Sequence, residues 1–214
     1  NDLAPWQWFK ELEWLEQPQE IEDEIDLWVC LDLYQSGWQE LLRAQGKRVW
    51  GAGNGEEMEL CRWEFKESIK KLGLPVQHCE HIFGVDAISN SLTSVPKTVF
   101  VKTSYVRGDF ETFKCEDYTL IEAKLDDLTH VLGVKKEKYE FIVEDEIPDA
   151  CEVGYDGFVI DGKFPRMAMQ AYEIKDCGMV GAVKKYEDLS EPVKLINEKL
   201  SDTFRQYNYR GFFC

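Results

Sequence analysis

Apolar positions along the chain fall into short runs and spaced stripes that alternate between strand and helix periods. Asp26-Leu27-Trp28-Val29-Cys30-Leu31 is a continuous apolar run of the kind found in a buried strand. Ser36 is a candidate cap for a helix through Arg43 that Gly46 ends, and Arg48-Val49-Trp50 supplies a second short strand. This β-α-β order favours a parallel sheet. Glycine-rich Gly51–Gly55 then opens a long helix in which Met58, Cys61, Phe65, Ile69 and Leu72 form one stripe, terminated by Gly73. Leu74-Pro75-Val76 passes into an extended segment. Before all of these, Trp8, Leu12 and Leu15 allow a short helix.

The second half is richer in strands. Thr98–Lys102 is β-branched and, across a loop from Thr103 to Asp109, faces a strand at Glu111–Glu116, an antiparallel hairpin. Ile121, Leu125, Leu128 and Leu132 mark a helix that Gly133 ends. Glu140–Asp145 is a strand, and Glu152–Ile160 is another that turns at Asp161-Gly162-Lys163. Ala171–Lys175 adds a strand, and a helix from Pro192 buries Val193, Ile196, Leu200 and Phe204. The chain closes on a strand at Phe212-Phe213. Its start at Asn1 and its stop inside a strand read as an internal portion of a longer protein.

The 214 residues suffice for one or two cored domains. A net charge of −16, from 25 basic and 41 acidic residues, argues against a nucleic-acid partner. No apolar run reaches the roughly 20 residues of a membrane span. Seven cysteines without a CxxC pair read as reduced thiols of a cytoplasmic protein. His78-Cys79-Glu80-His81 contains metal-ligating types but lacks a second ligand pair. Gly51–Gly55 matches neither a dinucleotide fingerprint nor a P-loop, and a hinge is the plainer reading. Lys102, at a strand end beside a polar loop, suits a polyphosphate, and for it, as for Lys66, an exposed solvated lysine is the plain alternative that composition does not separate. Lys66 lies off the apolar stripe of its helix, facing away from the core side. Glu144, Asp145 and Glu146 at a strand end suit a ribose or an exocyclic amine, or simply face water.

In order, these pieces resemble the ATP-grasp superfamily, and within it look most like glycinamide ribonucleotide synthetase and its phage relatives. Gly46-Lys47-Arg48-Val49-Trp50-Gly51, Arg62-Trp63-Glu64-Phe65-Lys66 and Lys71-Leu72-Gly73-Leu74-Pro75-Val76 look like the opening of that fold, where a lysine-bearing helix ends in a GLPV-type turn. Val99-Phe100-Val101-Lys102 looks like the lid strand with the second phosphate lysine, and Thr103–Asp109 stands where the flexible glycine-rich loop belongs. Ile142–Ile147 is similar to the adenine-binding hinge, Glu152 to its second acid, and Gly154–Lys163 to the strand and turn that follow. The loop departs from the pattern in having one glycine, Gly108, and in offering Arg107.

The resemblance implies an α/β and α+β chain. A partial parallel N-terminal α/β domain (1–76) would precede an antiparallel ATP-grasp lid (77–140) and a larger mixed-sheet subdomain (141–214). It implies an ATP-dependent carboxylate–amine ligase working through an acyl phosphate, with ATP and Mg2+ as cofactors, small-molecule carboxylate and amine substrates, and a homodimer as the family's usual state. Lys66 and Lys102 would neutralise phosphate, with Arg107, Gly108 and the Thr103 and Ser104 backbone closing over it. Glu144, Glu146, Ile147 and Glu152 would hold the nucleoside, and Lys175 is a further candidate for phosphate or substrate. Metal ligands are expected beyond Cys214. The rival readings are a non-catalytic nucleotide binder of the same fold, and an interaction module displaying Trp6, Trp8 and Trp14.

Overall fold

The computed structural model describes residues 16–31, 33–94, 96–104, 112–148, 150–174 and 178–213. The expected helix over Trp8–Leu15, and Trp6, Trp8 and Trp14, lie outside them.

After a 3-10 stretch at Pro18–Glu24, β1 (Trp28–Val29) and β2 (Val49–Trp50) pair in parallel across α1 (Ser36–Ala44), as a β-α-β order requires. Trp28, Cys30, Leu42 and Val49 form the core of this unit. Ser36 is the first helical residue of α1 rather than its cap; the cap position falls to Gln35, whose side chain makes no capping bond. The free amides are met from a distance instead: the buried Glu56 carboxylate accepts from the N–H of Gln35 at 3.1 Å and of Ser36 at 3.3 Å.

The glycine loop is a packing joint. Gly53 N–H donates to Gln39 Oε1 at 2.8 Å, Asn54 N–H to Glu40 Oε1 at 3.3 Å, and Gly55 N–H to the Ala52 carbonyl. Donors that could have cradled a phosphate are therefore already engaged. Gly51 exchanges backbone hydrogen bonds with Arg210, and a Cβ there would fall 2.2 Å from Gln39 Oε1, so a larger residue cannot make this approach. The helix that follows is not continuous. A 3-10 turn (Gly53–Glu56) and α2 (Glu57–Leu60) are separated from α3 (Arg62–Lys71) by Cys61, whose φ −93° and ψ 68° break the helical path. The stripe Met58, Cys61, Phe65, Ile69 and Leu72 is accordingly only half-buried.

Next comes a four-stranded antiparallel sheet in the order β3-β6-β4-β5: Cys79–Phe83, Glu140–Asp145, Val99–Thr103 and Phe113–Cys115. β3 and the helix α4 (Val85–Leu92) occupy what the sequence suggested only as an extended segment. Alternation gives the sheet two chemically different faces. Val99, Val101, Phe141 and Val143 face Val85, Ile88 and Leu92 of α4 and Ile121, Leu125 and Leu128 of α5 (Tyr118–Leu132) in the main core. Asp117 caps α5 by accepting from Thr119 N–H at 2.9 Å. The other face carries Phe100, Lys102, Glu140, Ile142, Glu144, Cys79 and His81. Because β6 belongs to this sheet, a division after residue 140 would cut through it.

A second antiparallel sheet has the order β10-β7-β8-β9: Arg210–Phe213, Glu152–Ile160, Met167–Ile174 and Gly178–Lys185. The first half of β7 pairs with β8 and the second half with β10. Asp161 (φ 51°) and Gly162 (φ 72°) form the tight turn after β7, closed by the Ile160–Lys163 bridge. α6 (Glu191–Gln206) packs Phe204 and half-buried Leu200 with Val159, Tyr209 and Phe213. Residues 193, 197, 200 and 204 keep one helical phase, which buries Asn197 and leaves Ile196 41% exposed, contrary to the sequence expectation.

Leu128 is fully buried whereas Leu120, on the same helix, is 73% exposed. In chemical denaturation, Leu128→Ala is expected to cost about 2–5 kcal/mol, from lost transfer energy and a cavity. Leu120→Ala is expected to stay within about 0.5 kcal/mol of the parent.

Candidate functional site

Glu144 sits on β6, an inner strand, opposite Phe100 of β4, while Lys102 lies opposite Ile142. The two residues therefore share the sheet face away from the main core and stand diagonally two positions apart, within reach of long side chains. Lys102 Nζ is 2.7 Å from Glu144 Oε2. From above, α3 brings Lys66 Nζ to 2.7 Å from Oε1, off the line of good hydrogen-bond geometry, so this contact is an ion pair more than a directed bond. The sequence stripe had turned Lys66 away from the core. With the helix broken at Cys61, α3 lies on the polar sheet face and Lys66 points into it.

The α3 placement has three further supports. Arg62 Nη1 donates to the Thr103 carbonyl at 2.7 Å, Arg62 N–H lies 3.4 Å from the Ser104 carbonyl, and Trp63 stacks on His81 with centroids 4.6 Å apart. His81 Nε2 in turn lies 3.3 Å from Glu140 Oε2.

The Glu144 carboxylate is 3% exposed, against 17% for the Lys66 side chain and 33% for Lys102. Burial works to raise its pKa, yet the charges and contacts of Lys102, then Lys66, outweigh burial and hold it below the ordinary carboxylate range. Asp145, on the opposite face, is also held low, by Lys97 at 2.5 Å and by His78.

Other expected residues are placed differently. Thr103 and Ser104 are buried, and their backbone is committed: Ser104 N–H donates to the Glu140 carbonyl, and both carbonyls face Arg62. A backbone closing over phosphate is thus not what these two offer here. The Ser104 hydroxyl, by contrast, is buried without a hydrogen-bond partner. Glu146 lies 3.1 Å from Lys114 Nζ, Ile147 is 59% exposed, and Glu152 is exposed at the start of β7, opposite Glu173. Arg107, Gly108 and Lys175 lie outside the described residues. In the His78–His81 run, Glu80 points to the core face and His81 is engaged by Glu140; among the described residues, no group of three metal-ligating side chains gathers. The Glu140–His81–Trp63 arrangement was missed. Its signal was the alternation of Glu140, Ile142 and Glu144 along one strand face.

A carboxyl with a lowered folded pKa contributes stability that is present above its unfolded pKa and is lost as pH falls through the folded value. Parent and Glu144→Gln thermal midpoints are therefore expected to differ at pH 7 and to converge as pH falls below about 4, followed by circular dichroism. A gap that stays constant down to pH 2.5 would contradict the assignment.

No protein-family model matches the chain, and no curated protein sequence matches it. Solved structures do. The biotin carboxylase domain of Hydrogenobacter thermophilus 2-oxoglutarate carboxylase, solved with MgADP, ADP and bicarbonate, superposes with a TM-score of 0.64 at 11% identity, covering 91% of this chain and 45% of that one. D-alanyl-alanine synthetase A from Vibrio cholerae gives 0.59 at 13% identity, covering 85% and 60%. A RimK domain ATP-grasp protein from Sphaerobacter thermophilus gives 0.51 at 14%, covering 83% and 81%. The chain thus spans about 60% of the length of the Vibrio structure. At these identities what is shared is architecture: the chain has the ATP-grasp fold.

Proposed function

We propose that this chain forms the nucleotide-binding part of an ATP-dependent carboxylate–amine ligase. The observation that carries the reading is the convergence of Lys66 and Lys102, from a helix and a strand 36 positions apart in sequence, on one polar sheet face. An ammonium pair held by separate rigid elements suits the adjacent phosphates of a nucleotide, because phosphoryl transfer needs positioning and charge neutralisation more than covalent chemistry from the protein.

In this reading Lys66 and Lys102 neutralise phosphate oxygens, and Ser104, two residues beyond Lys102 with a buried, unpartnered hydroxyl, is a further candidate donor. Glu146, Ile147 and Glu152, on the segment from β6 to β7, hold the nucleoside, and Arg107, Gly108 and Lys175 are further candidates near the phosphates and substrate. Magnesium would accompany the nucleotide and offset the charge of its phosphates. A substrate carboxylate accepts the γ-phosphoryl group, and an amine then attacks the activated carbonyl and displaces phosphate, leaving an amide. The order of the sequence runs favours a glycinamide ribonucleotide synthetase-like member of this class, with small-molecule substrates.

Calorimetric titration with a nonhydrolysable ATP analogue and magnesium tests the reading. The Lys66→Ala, Lys102→Ala double variant is expected to bind roughly a hundredfold more weakly, the order of two lost charge-assisted hydrogen bonds. Equal binding by parent and variant, or binding by neither, would overturn it.

A further inference from the structure

Two ammonium groups and one carboxylate leave the lysine cluster with a formal charge of +1 rather than +2. The carboxylate cannot readily move aside. Glu144 lies on β6, whose backbone is hydrogen-bonded to β3 on one side and β4 on the other, and its side chain is 3% exposed. The lysines are more accessible, and each ammonium keeps N–H donors beyond the one aimed at Glu144. Any anion that reaches them must therefore come close to a fixed negative charge lying beneath. That repulsion grows with the charge of the ligand. Bare tripolyphosphate carries more negative charge than a nucleotide whose phosphates are complexed with magnesium, so the carboxylate penalises the bare polyanion more.

We propose that Glu144 is a specificity-determining residue, which sets the lysine pair to favour a magnesium-complexed nucleotide over free polyanions. This rests on the phosphate-binding reading of Lys66 and Lys102. It also gives Glu144 a task different from holding the nucleoside: both of its oxygens face lysine ammonium groups, and its place is under the phosphates.

The test compares parent and Glu144→Gln in two calorimetric titrations, one with magnesium-free inorganic tripolyphosphate and one with the magnesium complex of a nonhydrolysable ATP analogue. Tripolyphosphate is expected to bind Glu144→Gln about tenfold more tightly than the parent, the order for removing one unit charge from beside a partly solvated ion. Its affinity is also expected to fall more steeply with added salt, and the analogue to change by a smaller factor. Adding Lys66→Ala and Lys102→Ala to the Glu144→Gln background is expected to abolish the gain. Weakening of both ligands together, an equal factor for both, or a gain that survives loss of the lysines would each overturn the proposal. Should Glu144→Gln fail to fold, Glu144→Leu removes the same charge with an apolar side chain and is held to the same outcomes. Failure of the parent to bind the analogue would sink the nucleotide reading, whereas failure of the neutral variant to gain tripolyphosphate affinity would sink only this one.

Discussion

A carboxylate almost wholly removed from water is held on a sheet face by two lysines that arrive from different elements, and this contact orders the polar half of the first sheet. A lone buried charge is costly, and Glu144 is kept ionised here by both partners. Lys102 is supplied by the adjacent strand. Lys66 is not, and reaches the site only because α3 lies across the sheet, anchored by Arg62 at the Thr103 carbonyl and by Trp63 on His81. The break at Cys61 is what frees α3 from the line of α2 to take that course.

The alternation of the strands lets one sheet carry an apolar core face and a charged face without conflict. Val99, Val101, Phe141 and Val143 serve the core on one side, and the intervening Phe100, Lys102, Ile142 and Glu144 face α3 on the other. A single-residue slip of β4 against β6 would exchange the two sets, placing charges in the core, so the register is strongly enforced. Elsewhere the N-terminal unit is tied to the second sheet through aromatic contact as well as the Gly51–Arg210 bonds. Trp50 stacks on Phe212 with centroids 4.8 Å apart and meets Phe158 edge-on.

Much of this was legible from periodicity where a segment was long and its apolar stripe continuous, as in α5, or where β-branched residues and turn chemistry agreed, as in β4 and the Asp161-Gly162 turn. β3 and α4 were not legible. Cys79–Phe83 interleaves charged, histidine and apolar residues because it is an edge strand with one face on the core and the other on the polar side, and Val85–Leu92 is a short helix rich in serine and asparagine. The continuous stripe from Met58 to Leu72 concealed the break at Cys61, since a one-residue interruption leaves the spacing of apolar positions almost unchanged. Lys66 and Lys102 could be singled out individually, but nothing local in the sequence states that a helix will cross a strand 36 positions later. Their meeting at Glu144 is a tertiary fact.

The acidic surplus of the chain conflicts with a locally positive site only if charge is averaged over the molecule. Exposed charges farther than about 8 Å are largely screened at physiological salt, so what a phosphate meets is set by its immediate neighbours. The Lys66–Lys102–Glu144 group itself carries one net positive charge, in a chain whose total is −16. Other lysines nearby are occupied in a different way: Lys97 is paired with Asp145 on the reverse face, and Lys114 with Glu116 and Glu146 at the sheet edge. Those pairs are exposed and contribute little to stability, whereas Lys66 and Lys102 share a partner that is 3% exposed. A chain this acidic on average can thus still present a locally positive pair of ammonium groups at one position.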